Sequence, residues 1–97
     1  MLEILVTPTF MKTAKKLPAK DKGVVDRAVK DIAANPAIGE EKKKGDLAGV
    51  FLHKFKLNKQ EVLLAYRLQP NKFEPDAIVL LSLGSHENFY TDLKRIR

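Results

Sequence analysis

Hydrophobic positions change their period near residue 50. Before it apolar residues recur at helical spacing, and after it they alternate or run continuously, as strands do. Leu2–Val6 is a short apolar, β-branched run stopped by Pro8, which predicts a first strand. Thr9 is placed to cap a helix in which Phe10, Ala14 and Leu17 recur at spacings of four and three, and Pro18 ends it. A second helix is predicted over Lys20–Ala34. Its Val25, Ala28, Val29 and Ile32 form one apolar stripe, while Lys22, Asp26, Lys30 and Asp31 stay polar. Asn35-Pro36 stops this helix, because the residue before a proline is pushed out of helical geometry.

Ala37–Gly49 reads as a connecting segment, and three strands are expected after it. Val50–Leu57 alternates, Asn58-Lys59-Gln60 supplies a hairpin turn, and Glu61–Gln69 returns. Pro70–Asp76, with two prolines and an asparagine, is a loop. Ala77–Leu83 is the most apolar stretch and predicts a central strand covered on both faces. Gly84 is expected to break it. Ser85 would then cap a terminal helix with Phe89, Leu93 and Ile96 on its apolar face. The predicted order is β-α-α-β-β-β-α, in one α+β domain spanning residues 1–97. Its sheet is small and antiparallel-rich, with two N-terminal helices packed on one face and a short C-terminal helix.

Composition narrows the chemistry. With no cysteine and only two histidines, outside any zinc-binding spacing, the chain offers no thiolate metal site, and neither cofactor nor metal is expected. The longest apolar runs, Ile78–Leu81 and Val62–Tyr66, are far short of the ~20 residues a bilayer span needs, so no membrane role is expected. The N-terminus shows no cationic leader before its apolar run, which makes the cytoplasm the expected compartment. A net charge of +6 and a pI near 9.7 favour polyanionic partners.

Strand alternation then sorts the charges. Phe51, His53, Phe55 and Leu57 share one face of their strand, and Val50, Leu52, Lys54 and Lys56 share the other. On the return strand Val62, Leu64, Tyr66 and Leu68 form the apolar set, opposite Glu61, Leu63, Ala65 and Arg67. If the apolar sets lie together, Lys54, Lys56 and Arg67 can converge on the other face. A solvated strand face is the competing account, and the run Lys42–Lys44 fits that account better than a site. His53, between two phenylalanines, reads as a core histidine. His86 and Tyr90 lie four apart at the start of the last helix, directly after the apolar strand, and so point one way. Packing of Tyr90 beside Phe89 and Leu93 is the plainer alternative. Together these residues suit RNA cleavage: histidine as acid or base, cations to stabilise phosphate charge, an aromatic ring to stack on a base. Glu61 is a second candidate base.

The segment Lys44-Gly-Asp-Leu-Ala-Gly, His53-Lys-Phe-Lys, Leu63-Leu-Ala-Tyr-Arg and Leu83-Gly-Ser-His-Glu-Asn-Phe-Tyr, in that order, resemble the RelE/ParE superfamily of type II toxins, nearest its RelE-like and YafQ-like ribonuclease branch. The resemblance spans nearly the whole chain. It implies a microbial ribonuclease fold, cleavage of mRNA on the ribosome, and an acidic cognate antitoxin. It also implies catalytic roles for His86, Tyr90, Lys54, Lys56 and Arg67, and RNA contacts from Lys54, Lys56, Arg67 and Lys44. One departure stands out: an arginine of RelE early in the return strand falls on Leu63, leaving Arg67 as the substitute. Two other functions fit the same composition. A ParE-like inhibitor of DNA gyrase would use the basic face for docking, and a small RNA-binding module would lack catalysis. The histidine–tyrosine pair favours the nuclease over the first. The lack of aromatics among Val50, Leu52, Leu63 and Ala65 disfavours the second.

Overall fold

The computed structural model describes residues 2–42 and 48–85. Lys44, His86, Tyr90 and the expected terminal helix lie outside the described residues. In chain order the elements are β1 (Glu3–Val6), α1 (Pro8–Lys15), α2 (Ala19–Ala34), a 3-10 turn (Pro36–Ile38), β2 (Glu40–Glu41), β3 (Phe51–Leu57), β4 (Gln60–Gln69) and β5 (Ala77–Ser85). The five strands form one sheet in the order β1-β5-β4-β3-β2, antiparallel except for the parallel β1–β5 pair. This is the expected α+β fold, with both helices on one face.

That face is the main core. Phe10 from α1 and Val25, Ala28 and Ile32 from α2 meet Phe51, Val62, Leu64, Tyr66, Leu68, Ile78, Leu80 and Leu83 from the sheet. The apolar sets predicted for β3 and β4 therefore do lie together, against the helices. Ile78, Leu80 and Leu83 could not share a face by strict alternation. A bulge opposite Ala65/Tyr66 restores the phase, because Ala65 pairs with Ser82 and Tyr66 with Leu80.

Several boundaries differ from expectation, each for a local reason. Helix α1 is capped by Thr7 and not by Thr9: the Thr7 hydroxyl accepts from the Phe10 amide at 3.2 Å and donates to the Leu81 carbonyl at 2.8 Å. Pro8 then occupies the first helical position, where its missing N–H costs nothing. The turn after β3 is two residues long. Asn58 and Lys59, with φ of 53° and 67°, make it, and Gln60 already pairs with Leu57. Glu40 and Glu41, expected in a connecting segment, pair with Leu52 and Phe51 as a short edge strand. Gly84 does not break β5, since it pairs with Leu63 and the ladder continues to Ser85. The middle strand is β4, with β5 beside it.

Tyr66 ties the segment before β2 to the sheet. Its ring is fully buried and stacks on Phe51 at 5.3 Å. Its hydroxyl donates to the Pro36 carbonyl at 2.6 Å and accepts from the Gly39 amide at 3.0 Å. Residue 39 has to lack a side chain, because a Cβ there would fall 2.7 Å from the phenol oxygen. Burial pushes the Tyr66 phenol up from its ordinary value of 10.0, an effect the Gly39 hydrogen bond partly offsets. A raised folded-state pKa means the contribution is complete below pH 10 and is lost as pH climbs through the folded value. Tyr66→Phe should cost about 1–3 kcal/mol by urea denaturation at neutral pH. It should also lose less stability than the parent as the pH rises above 10.

Candidate nucleic-acid interface

The second face of the sheet carries the predicted cations, and its middle is not a solvated surface. Val50, Leu52, Leu63, Ala65 and Leu81 form a second buried cluster, with Val79 packed against it. The competing account, a solvated strand face, therefore does not hold at the centre of this face. The sequence did contain the signal: five consecutive apolar residues over Val62–Tyr66 mark a strand buried on both sides. Cations cannot sit inside such a cluster, so they are displaced to its two ends.

At one end are Lys54 and Lys56, both exposed. They share a face two residues apart, which sets their Cα atoms roughly 7 Å from each other. Strand β2 reaches only as far as Leu52, so this part of β3 is an edge among the described residues. Lys54 pairs with Leu63, which in turn pairs with Gly84, so one row crosses β3, β4 and β5. In the next row Phe55, Val62 and Ser85 are aligned, and beyond it Lys56 faces Glu61 across the hairpin. The two ammonium groups, the exposed Glu61 carboxylate and the end of β5 are thus brought together at the hairpin end of the sheet. His86 follows Ser85 directly in the chain.

Arg67 occupies the opposite end. It shares the face of Lys54, but it lies four residues beyond Leu63 on β4, about 13 Å along the strand. There it is half-buried, and one of its guanidinium nitrogens lies 3.5 Å from the place a Cβ on Gly49 would occupy. Lys54 and Lys56 are brought together, while Arg67 stands apart from them. Position 63, where the resemblance leads one to look for an arginine, holds a leucine that is 1% exposed and belongs to the second cluster. His53 lies on the helix side of β3, half-buried and stacked with Phe55 at 6.0 Å, and so faces away from the two lysines. Lys44, His86 and Tyr90 fall outside the described residues.

A pair of ammonium groups on a strand edge can hold a phosphate diester, and a carboxylate beside one of them can accept a proton. No group of three or more histidine, aspartate or glutamate side chains placed to hold a metal occurs among the described residues. Within the same residues no helix is long and apolar enough to cross a membrane. Glu61 was visible in the sequence as a hairpin-end carboxylate, but its pairing with Lys56 depends on the two-residue turn.

Residues 4–94 match the family model for ParE-like toxins of type II bacterial toxin–antitoxin systems. In structure the chain is similar to three solved forms of an Escherichia coli protein. One is in the intact E. coli RelBE toxin–antitoxin complex, with 16% identity, a TM-score of 0.67, and 90% of this chain and 99% of that chain covered. A second is a mutant of the E. coli toxin RelE in the free state, with 16% identity, a TM-score of 0.68, and coverage of 98% and 92%. The third is the isolated E. coli RelE toxin, with 17% identity, a TM-score of 0.65, and both chains covered in full. At these identities the likeness is one of fold. No match was found among curated protein sequences.

Lys54 and Lys56 are exposed and outside both cores, so replacing either with alanine should leave stability within about 0.5 kcal/mol of the parent. Leu63→Arg, which buries a cation in the second cluster, should by contrast cost several kcal/mol in the same denaturation assay.

Proposed function

Because the chain belongs to the ParE-like toxins of type II bacterial toxin–antitoxin systems, we propose that it is an endoribonuclease cleaving mRNA on the ribosome. The observation that supports this most is the Lys54–Lys56 pair at the hairpin end, in the rows that adjoin the end of β5 and so the sequence position of His86. The fold likeness to RelE is in keeping with it.

The chemistry needs little from the protein. The ribose 2′-oxygen attacks the adjacent phosphorus, the bond from phosphorus to the 5′-oxygen breaks, and a 2′,3′-cyclic phosphate and a 5′-hydroxyl result. One group accepts the 2′-hydroxyl proton and another donates a proton to the departing oxygen. His86 serves as one of these, with a lysine or Glu61 as the other. Lys54 and Lys56 stabilise the charge that grows on the phosphorane, which an ammonium does electrostatically with no proton transfer. Tyr90 stacks on a base and holds the scissile step in line. Arg67 and Lys44, removed from the lysine pair along the face or in the sequence, contact the RNA backbone on either side. The partner that silences the toxin is a cognate acidic antitoxin, drawn to a chain of net charge +6.

A second reading, inhibition of DNA gyrase, is favoured by the family model, whose name is that of the ParE-like toxins. Induced expression followed by mapping of mRNA 5′ ends separates the two. The nuclease predicts new 5′ ends within coding regions, lost in His86→Ala and reduced at least tenfold in a Lys54→Ala/Lys56→Ala double variant. Growth arrest with intact mRNA and inhibited supercoiling would establish the gyrase reading in its place.

A further inference from the structure

Asp21 is a charged side chain only 6% exposed, and nothing in the proposed chemistry uses it. It stands in the first turn of α2, where the helix dipole favours a carboxylate. Its Oδ2 accepts a hydrogen bond of 2.9 Å from the side-chain amide of Asn58, at the tip of the β3–β4 hairpin. That contact crosses from the helix layer to the end of the sheet where Lys54 and Lys56 lie.

The tip needs such a contact. Among the described residues, strand β5 supports β4 as far as Ser85 opposite Val62, and the rows Lys56–Glu61 and Leu57–Gln60 extend past Ser85 as two strands. A two-stranded ribbon is marginal in water, and it twists more freely than a strand pair held inside a sheet. Leu57 adds partial packing against the main core. The turn itself holds Asn58 and Lys59 at positive φ, which orients the Asn58 side chain but does not fix the tip to the body. Among the described residues, the amide of Asn58 makes the tip's side-chain hydrogen bond to a helix, and Asp21 receives it.

We infer that Asp21 and Asn58 are positioning residues, a latch that fixes the hairpin tip and so sets where the Lys56 ammonium and the Glu61 carboxylate stand. The inference rests on the nuclease reading for its consequence in catalysis, and on the hydrogen bond alone for its consequence in structure. A glycine at position 58 keeps the positive-φ turn and removes only the amide. Asparagine at position 21 keeps an oxygen that can accept from Asn58.

The test compares the parent with Asn58→Gly, Asp21→Asn and Lys56→Ala, by amide hydrogen exchange and by kcat and KM for cleavage of mRNA in purified translating ribosomes. In Asn58→Gly the amides of residues 56–61 should exchange about tenfold faster while those of 62–66 keep the parent rate. Its kcat should fall about tenfold with KM within about twofold, since a misplaced group weakens the transition state more than the bound state. Asp21→Asn should stay within about threefold of the parent in kcat, as expected where the acceptor oxygen matters more than the charge. Parent-like exchange at the tip in Asn58→Gly would overturn the latch itself. Faster exchange with an unchanged kcat, alongside an impaired Lys56→Ala, would overturn its positioning role. Full cleavage by Lys56→Ala would remove Lys56 from the site and overturn the latch's role in placing its ammonium for catalysis.

Discussion

Strand β4 is apolar on both faces, and that requirement organises the molecule. Val62, Leu64, Tyr66 and Leu68 have to be covered by α1 and α2, while Leu63 and Ala65 need cover on the other side. Burying a large aliphatic side chain is worth roughly 1.5–3 kcal/mol, whereas an unpaired buried charge costs more than that. A strand with this composition therefore has no room for a cation in its central rows. The positive charges of the second face are pushed to its ends, Lys54 and Lys56 at one and Arg67 at the other. The placement of the candidate site follows from the packing of the sheet's middle strand.

Two polar contacts fasten elements that burial alone would leave loose. The phenol of Tyr66 holds the turn at Pro36 and the chain at Gly39, and so brings Glu40 and Glu41 to the edge of β3. The amide of Asn58 holds the hairpin tip to Asp21 on α2. Each joins a loop to a rigid element, at opposite ends of β3. Between them β3 is held at both ends, and among the described residues its hairpin half is a sheet edge that carries the exposed Lys54 and Lys56. Lysines on a sheet edge also discourage pairing with another chain, so the same side chains can serve solubility and phosphate contact together.

Much of this was legible in the residues. The stripe of Val25, Ala28 and Ile32 and the alternation from Phe51 to Leu68 indicated which faces meet, because amphipathic periodicity reports burial directly. Other features depend on three-dimensional closure. The bulge that brings Leu80 and Leu83 to one side leaves no local mark, and neither does the pairing of Glu40 and Glu41 with β3. Thr7 and Thr9 are equally good caps in isolation. The choice falls to Thr7 because its hydroxyl also reaches the Leu81 carbonyl. In the candidate site, shared strand phase correctly put Lys54, Lys56 and Arg67 on one face. Phase is blind to distance along a strand, and so it could not separate Arg67 from the two lysines.

The central claim is that the hairpin-end lysines act on the phosphate during cleavage and do more than hold RNA. Single-turnover cleavage of an mRNA positioned in the ribosomal A site, at saturating protein, tests it most directly. The lysine pair predicts that Lys54→Ala/Lys56→Ala slows the chemical step at least a hundredfold even when all the ribosomes are occupied. A parent-like single-turnover rate at saturation, with only the concentration dependence changed, would contradict it.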